Sequence, residues 1–283
     1  MKYIKVYLFV VLALAAFACS ELKDDITTPQ KVNVHSPEFL KKSSANFHGN
    51  FIRNSNWDLN QCQKCHASNY AGGPTEVSCL SSGCHNQEAG PEACNTCHGD
   101  FNNPTLIAPP QDINNHVETS YASVGAHSAH LNAGLLGKAV ECQECHSVPA
   151  HYNSAGHIDN SQGAELVFGP LSNMGPSASN YDMTAIKCSN TYCHGNFAFA
   201  KETSRFKFAY TADKMTGKNF SPVWNKVDGT QKACNTCHGL PPAGHIPSTL
   251  DKCATCHIGI MDQAGNIINT EKHINGIINV FGN

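Results

Sequence analysis

The chain has 283 residues, 15 cysteines and 16 histidines, and carries a formal net charge of −3. A mildly acidic balance with no basic run opposes nucleic-acid binding. Between Asn54 and Asn103 the large apolar residues are few (Trp57, Leu59, Val77, Leu80 and Phe101, with Tyr70 beside them), which excludes a core built from the chain alone, since so little apolar surface does not offset the entropy of ordering the backbone.

In chain order, Lys2 and Lys5 precede the apolar run Val6–Ala18. That run suits the core of a signal peptide and is too short to span a bilayer. Residues 1–18 are therefore read as a cleaved leader, whose two lysines take the charge from −3 to −5. Ala16-Phe17-Ala18-Cys19-Ser20 resembles a bacterial lipobox, in which the cysteine is lipidated and becomes the mature N-terminus. The alternative is an ordinary cleaved signal followed by a spare thiol. No second apolar stretch is long enough to cross a membrane, so a lipid on Cys19 would be the anchor. Residues 19–47 are polar and read as a tether. Within it, Lys23-Asp24-Asp25 resembles the surface-export signal of some lipoproteins; a solvated charge cluster is the other reading.

The remaining 14 cysteines form seven pairs, and a histidine follows the second member of each. Five pairs have two residues between the cysteines: Cys62–Cys65–His66, Cys94–Cys97–His98, Cys142–Cys145–His146, Cys234–Cys237–His238 and Cys253–Cys256–His257. Two have four: Cys79–Cys84–His85 and Cys188–Cys193–His194. Cysteines one helical turn apart can each add to a vinyl group on one edge of a haem, and the next residue then presents its imidazole to the iron. Zinc sites also use C-x-x-C but need no histidine after every pair. The pattern predicts seven covalently attached haem c groups, with those seven histidines as proximal ligands. Buried porphyrin faces would supply the missing apolar surface. Fourteen propionates and seven ferric charges would bring the oxidised, mature protein to about −12, favouring cationic partners.

An internal repeat organises these motifs. Ala93-Cys94-Asn95-Thr96-Cys97-His98-Gly99 recurs unchanged as Ala233-Cys234-Asn235-Thr236-Cys237-His238-Gly239. A four-spaced motif precedes each copy. A Pro-Pro pair follows it, at Pro109-Pro110 and Pro241-Pro242, and then a histidine flanked by Gly and Ala, His127 or His245. Another C-x-x-C-H comes next, and each copy closes on His157-Ile158-Asp159 leading to Val167-Phe168-Gly169, or His273-Ile274-Asn275 leading to Val280-Phe281-Gly282. The reading is a single-haem segment over 48–78, a three-haem module over 79–170 and a second over 171–283, with 170–187 as the join. Gly, Pro, Asn and Ser punctuate nearly everything. The expected fold is haem-cored and mostly irregular, with short α-helices, little β, and each haem motif on a helical turn. His127–Lys138 is expected as a longer helix despite Gly134 and Gly137. Ile258–Ile268 is expected as a small hairpin turning at 262–266.

Gly125-Ala126-His127-Ser128-Ala129-His130-Leu131, Cys188-Ser189-Asn190-Thr191-Tyr192-Cys193-His194-Gly195, Trp224, Ala233–Pro242 and His273-Ile274-Asn275-Gly276 follow one another in order. The ordered set resembles the C-x4-C-H/C-x-x-C-H multihaem c-type cytochromes, mostly lipoproteins, of bacteria that respire metals and other extracellular acceptors. The resemblance covers roughly residues 79–283. It implies a role in electron transfer at or beyond the outer membrane. No individual partner is carried over from the family; the partners expected are other periplasmic or outer-membrane redox proteins, with extracellular metal acceptors as a further candidate.

Seven irons need seven second ligands, and nine histidines remain. Neutral imidazole is the common choice in closely packed multihaem chains. The repeat singles out His157 with His273 and His127 with His245; His130, His116 and His48 complete the set. His35 lies in the tether and His151 has no repeat counterpart, so both are left out. None of Met174, Met183, Met215 and Met261 holds a repeated position. His127 and His130 share one face of a helix and would serve two haems. Three functions compete. An electron carrier or conduit with mainly bis-histidine haems is preferred. A multihaem terminal reductase would need an open iron and groups to deliver protons; no motif replaces its histidine with lysine. Self-assembly into a conducting filament is the third, disfavoured by a lipid at one end.

Overall fold

In the computed structural model the described residues are 34–80, 84–103, 105–107, 110–159 and 163–282. The leader, Cys19, the Lys23-Asp24-Asp25 cluster, Pro109 and the loop 81–83 of the first four-spaced motif lie outside them. The chain forms two compact units, one ending at Asp58 and one beginning at Leu59.

The first unit is aromatic. Residues 34–47, read as part of the tether, form hydrogen-bonded turns that lead into α1 (His48–Asn54). Phe39 gathers the neighbouring rings: His35 stacks on it at 4.1 Å, and His48 and Phe51 lie at 5.7 and 6.0 Å. Arg53 lies over the Trp57 ring.

The second unit is held mainly by turns and by side chains bonded to backbone. Its α-helices are α2 (Asn60–His66), α3 (His127–Leu131) and α4 (Cys253–Cys256). Two antiparallel ribbons add the only strands among the described residues. β1 (Asn180–Asp182) pairs with β2 (Lys187–Ser189), and β3 (Ala198–Ala200) with β4 (Lys214–Thr216). The join at 170–187 thus carries structure of its own, and its second strand leads directly into the Cys188 motif.

The fold is mostly irregular with little sheet, as the punctuation by Gly, Pro and Asn implies. Five motifs include a helical turn: α2, α4, and the 3-10 turns Cys94–Thr96, Cys142–Glu144 and, at the end of the Cys188 motif, Tyr192–His194. The Cys234 motif is a plain turn. The expected long helix from His127 is corrected to one turn: it stops at Leu131, and Asn132 is already extended. Beyond it lie Gly134 and Gly137, where a helix gains least. The hairpin at 258–268 forms, with Met261 bridging Ile267 and Asp262 closing the turn by accepting from the Asn266 and Gly265 amides.

The apolar core is thin. Leu59, Tyr70, Val124, Tyr192, Tyr210, Met215, Ile260 and Val280 are buried, and no large side chain among the described residues is completely so. Leu135, Phe208 and Ile277 are exposed, together with many other large apolar residues. Such a surface seeks another apolar partner.

Candidate functional site

The fourteen cysteines of the seven motifs are all free of disulfides. Burial raises several of the thiols, Cys145 and Cys188 to about 11 and Cys193 to about 12. That is the reverse of the lowered pKa of a metal-binding or reactive thiolate. Among the described residues no three His, Cys, Asp or Glu side chains converge as a metal cage would need. The histidines instead approach one another in twos.

Four such pairs join a motif histidine to a predicted distal one. The ring centroids of His98 and His157 are 6.4 Å apart, those of His146 and His127 6.2 Å, those of His194 and His130 6.0 Å, and those of His238 and His273 6.3 Å. Burial lowers the pKa of His257, and repulsion from His245 lowers it further. A metal-bound nitrogen lies about 2 Å from the metal and the ring centre roughly 1 Å behind it, so two imidazoles on opposite sides of one iron have centroids about 6 Å apart. The observed pairs have that separation. The donor set and its spacing therefore fit haem iron.

The other ring nitrogen, Nδ1, is engaged in twelve of the fourteen predicted ligands. Backbone carbonyls accept from Nδ1 of His66 (Val77), His98 (Ile107), His146 (Glu165), His238 (Gly239) and His257 (Asn279). The same holds for His48 (Phe39), His127 (Val124), His130 (Ala126), His157 (Tyr152), His245 (Ile246) and His273 (Leu136). In His116 the acceptor is the Asp112 carboxylate at 2.8 Å. With the proton held on Nδ1, the lone pair is on Nε2, the atom a metal takes; an outer partner of this kind fixes the tautomer and raises ligand basicity. His194 differs: its Nδ1 is buried with no hydrogen-bond partner among the described residues.

Burial also keeps rings uncharged. It lowers His127 and His194 to about 4, with His146 and His130 respectively adding repulsion, and it lowers His48, His98, His257 and His273. Neutral imidazole is the ligating form. His35 and His151, the two histidines left out of the ligand set, are both exposed, as is His157 within it.

The geometry adds what the sequence left open. His157 and His273 each follow the last motif of a module, yet each faces the middle one, His98 and His238. His127 faces the last motif of its module, at His146. The modules also cross: His130 of the first faces His194 of the second. His85 packs edge-on to Phe101, and His116 stacks on Tyr121 at 3.7 Å. Asp112 was not anticipated. Burial alone would raise its carboxyl, but the Ser123 hydroxyl, the His116 ring and amide and the Asn114 amide together hold it at about 2. Its place four residues before His116 was the signal available.

Residues 187–238 match a protein-family model described as the Geobacter CxxxxCH...CXXCH motif. The match runs from the second four-spaced motif through His238, and so takes in six of the seven residues of the unchanged heptapeptide. No curated protein and no solved structure matches the chain.

Proposed function

Since residues 187–238 match the Geobacter CxxxxCH...CXXCH motif, we propose that this chain is a multihaem c-type cytochrome, a seven-haem electron carrier or conduit with mainly bis-histidine irons. The observation that carries this reading is the set of imidazole pairs at 6.0–6.4 Å. Haem, when bound, supplies an iron that takes up and returns one electron without breaking a bond. The chain's own residues do the rest. The cysteine pairs anchor each group, the motif histidines hold one side, and His48, His116, His127, His130, His157, His245 and His273 are proposed for the other. Where Nδ1 is engaged, it would keep the ring in the ligating tautomer, and the apolar faces left exposed by the thin core would be covered. Two ligands per iron leave no open position for a substrate, which supports transfer over reduction of a bound oxyanion.

The pairing proposed within each module is the same. His98 goes with His157 and His238 with His273; His146 goes with His127 and His257 with His245. His194 goes with His130 across the two. The domain reading stands as a proposal: a leader at 1–18, a lipid-anchored tether at 19–47, one haem at 48–78 and modules at 79–170 and 171–283. Among the described residues no helix is long and apolar enough to cross a membrane, so the proposed anchor to the outer membrane is a lipid on Cys19. The proposed partners are other redox proteins and extracellular metal acceptors.

Intact mass tests the haem count. The purified protein should exceed its chain by seven groups of roughly 0.6 kDa each; an excess of five would remove both four-spaced motifs from the reading. Cys19→Ser should release the protein from the membrane fraction, and unchanged association would rule out the lipid.

A further inference from the structure

His127 and His130 stand on the single turn of α3, yet they face different motif histidines, one in each module. One side chain touches both rings. Trp224 meets His127 edge-on, with centroids 4.8 Å apart and planes at 89°, and stacks on His130 at 5.5 Å and 28°.

Trp224 is itself tied to both modules. Its indole Nε1–H donates to the Ala122 carbonyl at 2.7 Å, and the adjacent Asn225 amide donates to the Ser120 carbonyl at 2.9 Å. These hold the ring against the segment that leads into α3. Its backbone N–H donates to Ile186 at 2.8 Å, Lys187 bridges Val223, and the Cys188 N–H donates to Pro222. These hold its backbone against the strand that carries the Cys188 motif. The seat is close. Gly125 has φ +44°, and a Cβ built there would lie 2.0 Å from the indole nitrogen. A side chain at 125 would displace the ring, so glycine is needed for space as well as for conformation.

We propose that Trp224 is the positioning residue of the junction between the two modules, setting the place and the ring planes of His127 and His130. This rests on the bis-histidine reading above. An indole that is edge-on to one imidazole and face-on to the other admits one combination of ring planes. His127 is nearly parallel to His146, at 19°, while His130 is crossed with His194, at 65°. The angle between two axial imidazole planes governs the splitting of the iron d orbitals, and ferric electron paramagnetic resonance reads it. The Nδ1 bonds to the Val124 and Ala126 carbonyls anchor one edge of each ring, and Trp224 is the contact the two rings share.

The test uses the holoprotein and three variants, Trp224→Ala, Trp224→Phe and Gly125→Ala. Each is assayed by intact mass, by carbon monoxide uptake after reduction, and by ferric resonance. The parent should take up no carbon monoxide. Trp224→Ala should keep its haems, alter two low-spin signals, and bind up to about two equivalents of carbon monoxide, one for each freed iron. Trp224→Phe keeps a ring but loses the bond to Ala122, and should shift the same two signals without carbon monoxide uptake. Gly125→Ala should resemble Trp224→Phe. Parent-like resonance and inertness in Trp224→Ala would overturn the proposal. If that variant fails to mature, parent-like signals in both milder variants would overturn it instead. Carbon monoxide uptake by the parent would break the bis-histidine reading on which the proposal rests, a result separable from any effect of Trp224.

Discussion

One heptapeptide occurs twice in this protein and folds two ways. In the first copy Cys94–Thr96 is a 3-10 turn, and Asn95 is buried, its amide donating to the Asp100 and Phe101 carbonyls. In the second copy Asn235 is exposed in the left-handed region at φ 73°, and Lys218 donates to its backbone and side-chain oxygens. His98 gives its Nδ1 proton to Ile107, nine residues on, whereas His238 gives its own to the adjacent Gly239. Yet the facing ring is equivalent in both, His157 at 6.4 Å and His273 at 6.3 Å. The backbone of the attachment loop varies with whatever packs beside it, and the imidazole pair is what the two copies share. A distance of about 6 Å between rings is demanded by one iron; nothing demands one loop conformation.

The strongest test of this equivalence removes the distal rings. His157→Ala and His273→Ala should each keep seven haems, since thioethers and proximal histidines are untouched, and each should open one iron to carbon monoxide. Replacing either with Met should raise one reduction potential by on the order of 0.1 V, a fraction of the roughly 0.8 V that axial ligands command. Redox titration reads both variants, and a response from only one copy would break the comparison.

A smaller effect should separate the copies. His116 bonds to a buried carboxylate, Asp112, where the other predicted ligands with an engaged Nδ1 bond to carbonyls. A carboxylate pushes more electron density onto the ring and favours ferric iron. Asp112→Asn should raise one potential by tens of millivolts; a tenfold loss of ferric preference corresponds to about 59 mV. A titration curve identical to that of the parent would remove His116 from the ligand set or Asp112 from any tuning role.

The smallest effects distinguish the two asparagines themselves. Asn95→Ala leaves two carbonyls short of a buried donor and should cost about 1–3 kcal/mol. That is a fall of several degrees in the thermal midpoint. Asn235→Gly relieves a left-handed residue on the surface and should stay within about 0.5 kcal/mol of the parent. Equal losses at both positions would mean that the loops are less different than their backbones.

The reading of haem attachment rests on sequence alone. Cys-x-x-Cys-His and Cys-x4-Cys-His are contiguous patterns, and the thioether and proximal-ligand reading needs only residues within about two turns of each other. The repeat was legible for the same reason, and it ranked His127, His157, His245 and His273 as candidates because context recurs along a chain. The thin core was also legible, because composition limits how much apolar surface a chain can bury. Which ring faces which could not be read from sequence. His157 meets His98 from 59 positions away, and His130 meets His194 across the module boundary. Both approaches depend on how irregular loops are threaded, where no periodicity marks direction. Trp224 stood in the sequence only as one word of a family phrase. Its bond to Ala122, 102 residues back, exists because the strand of one module lies against the histidine turn of the other, a contact that only tertiary packing creates.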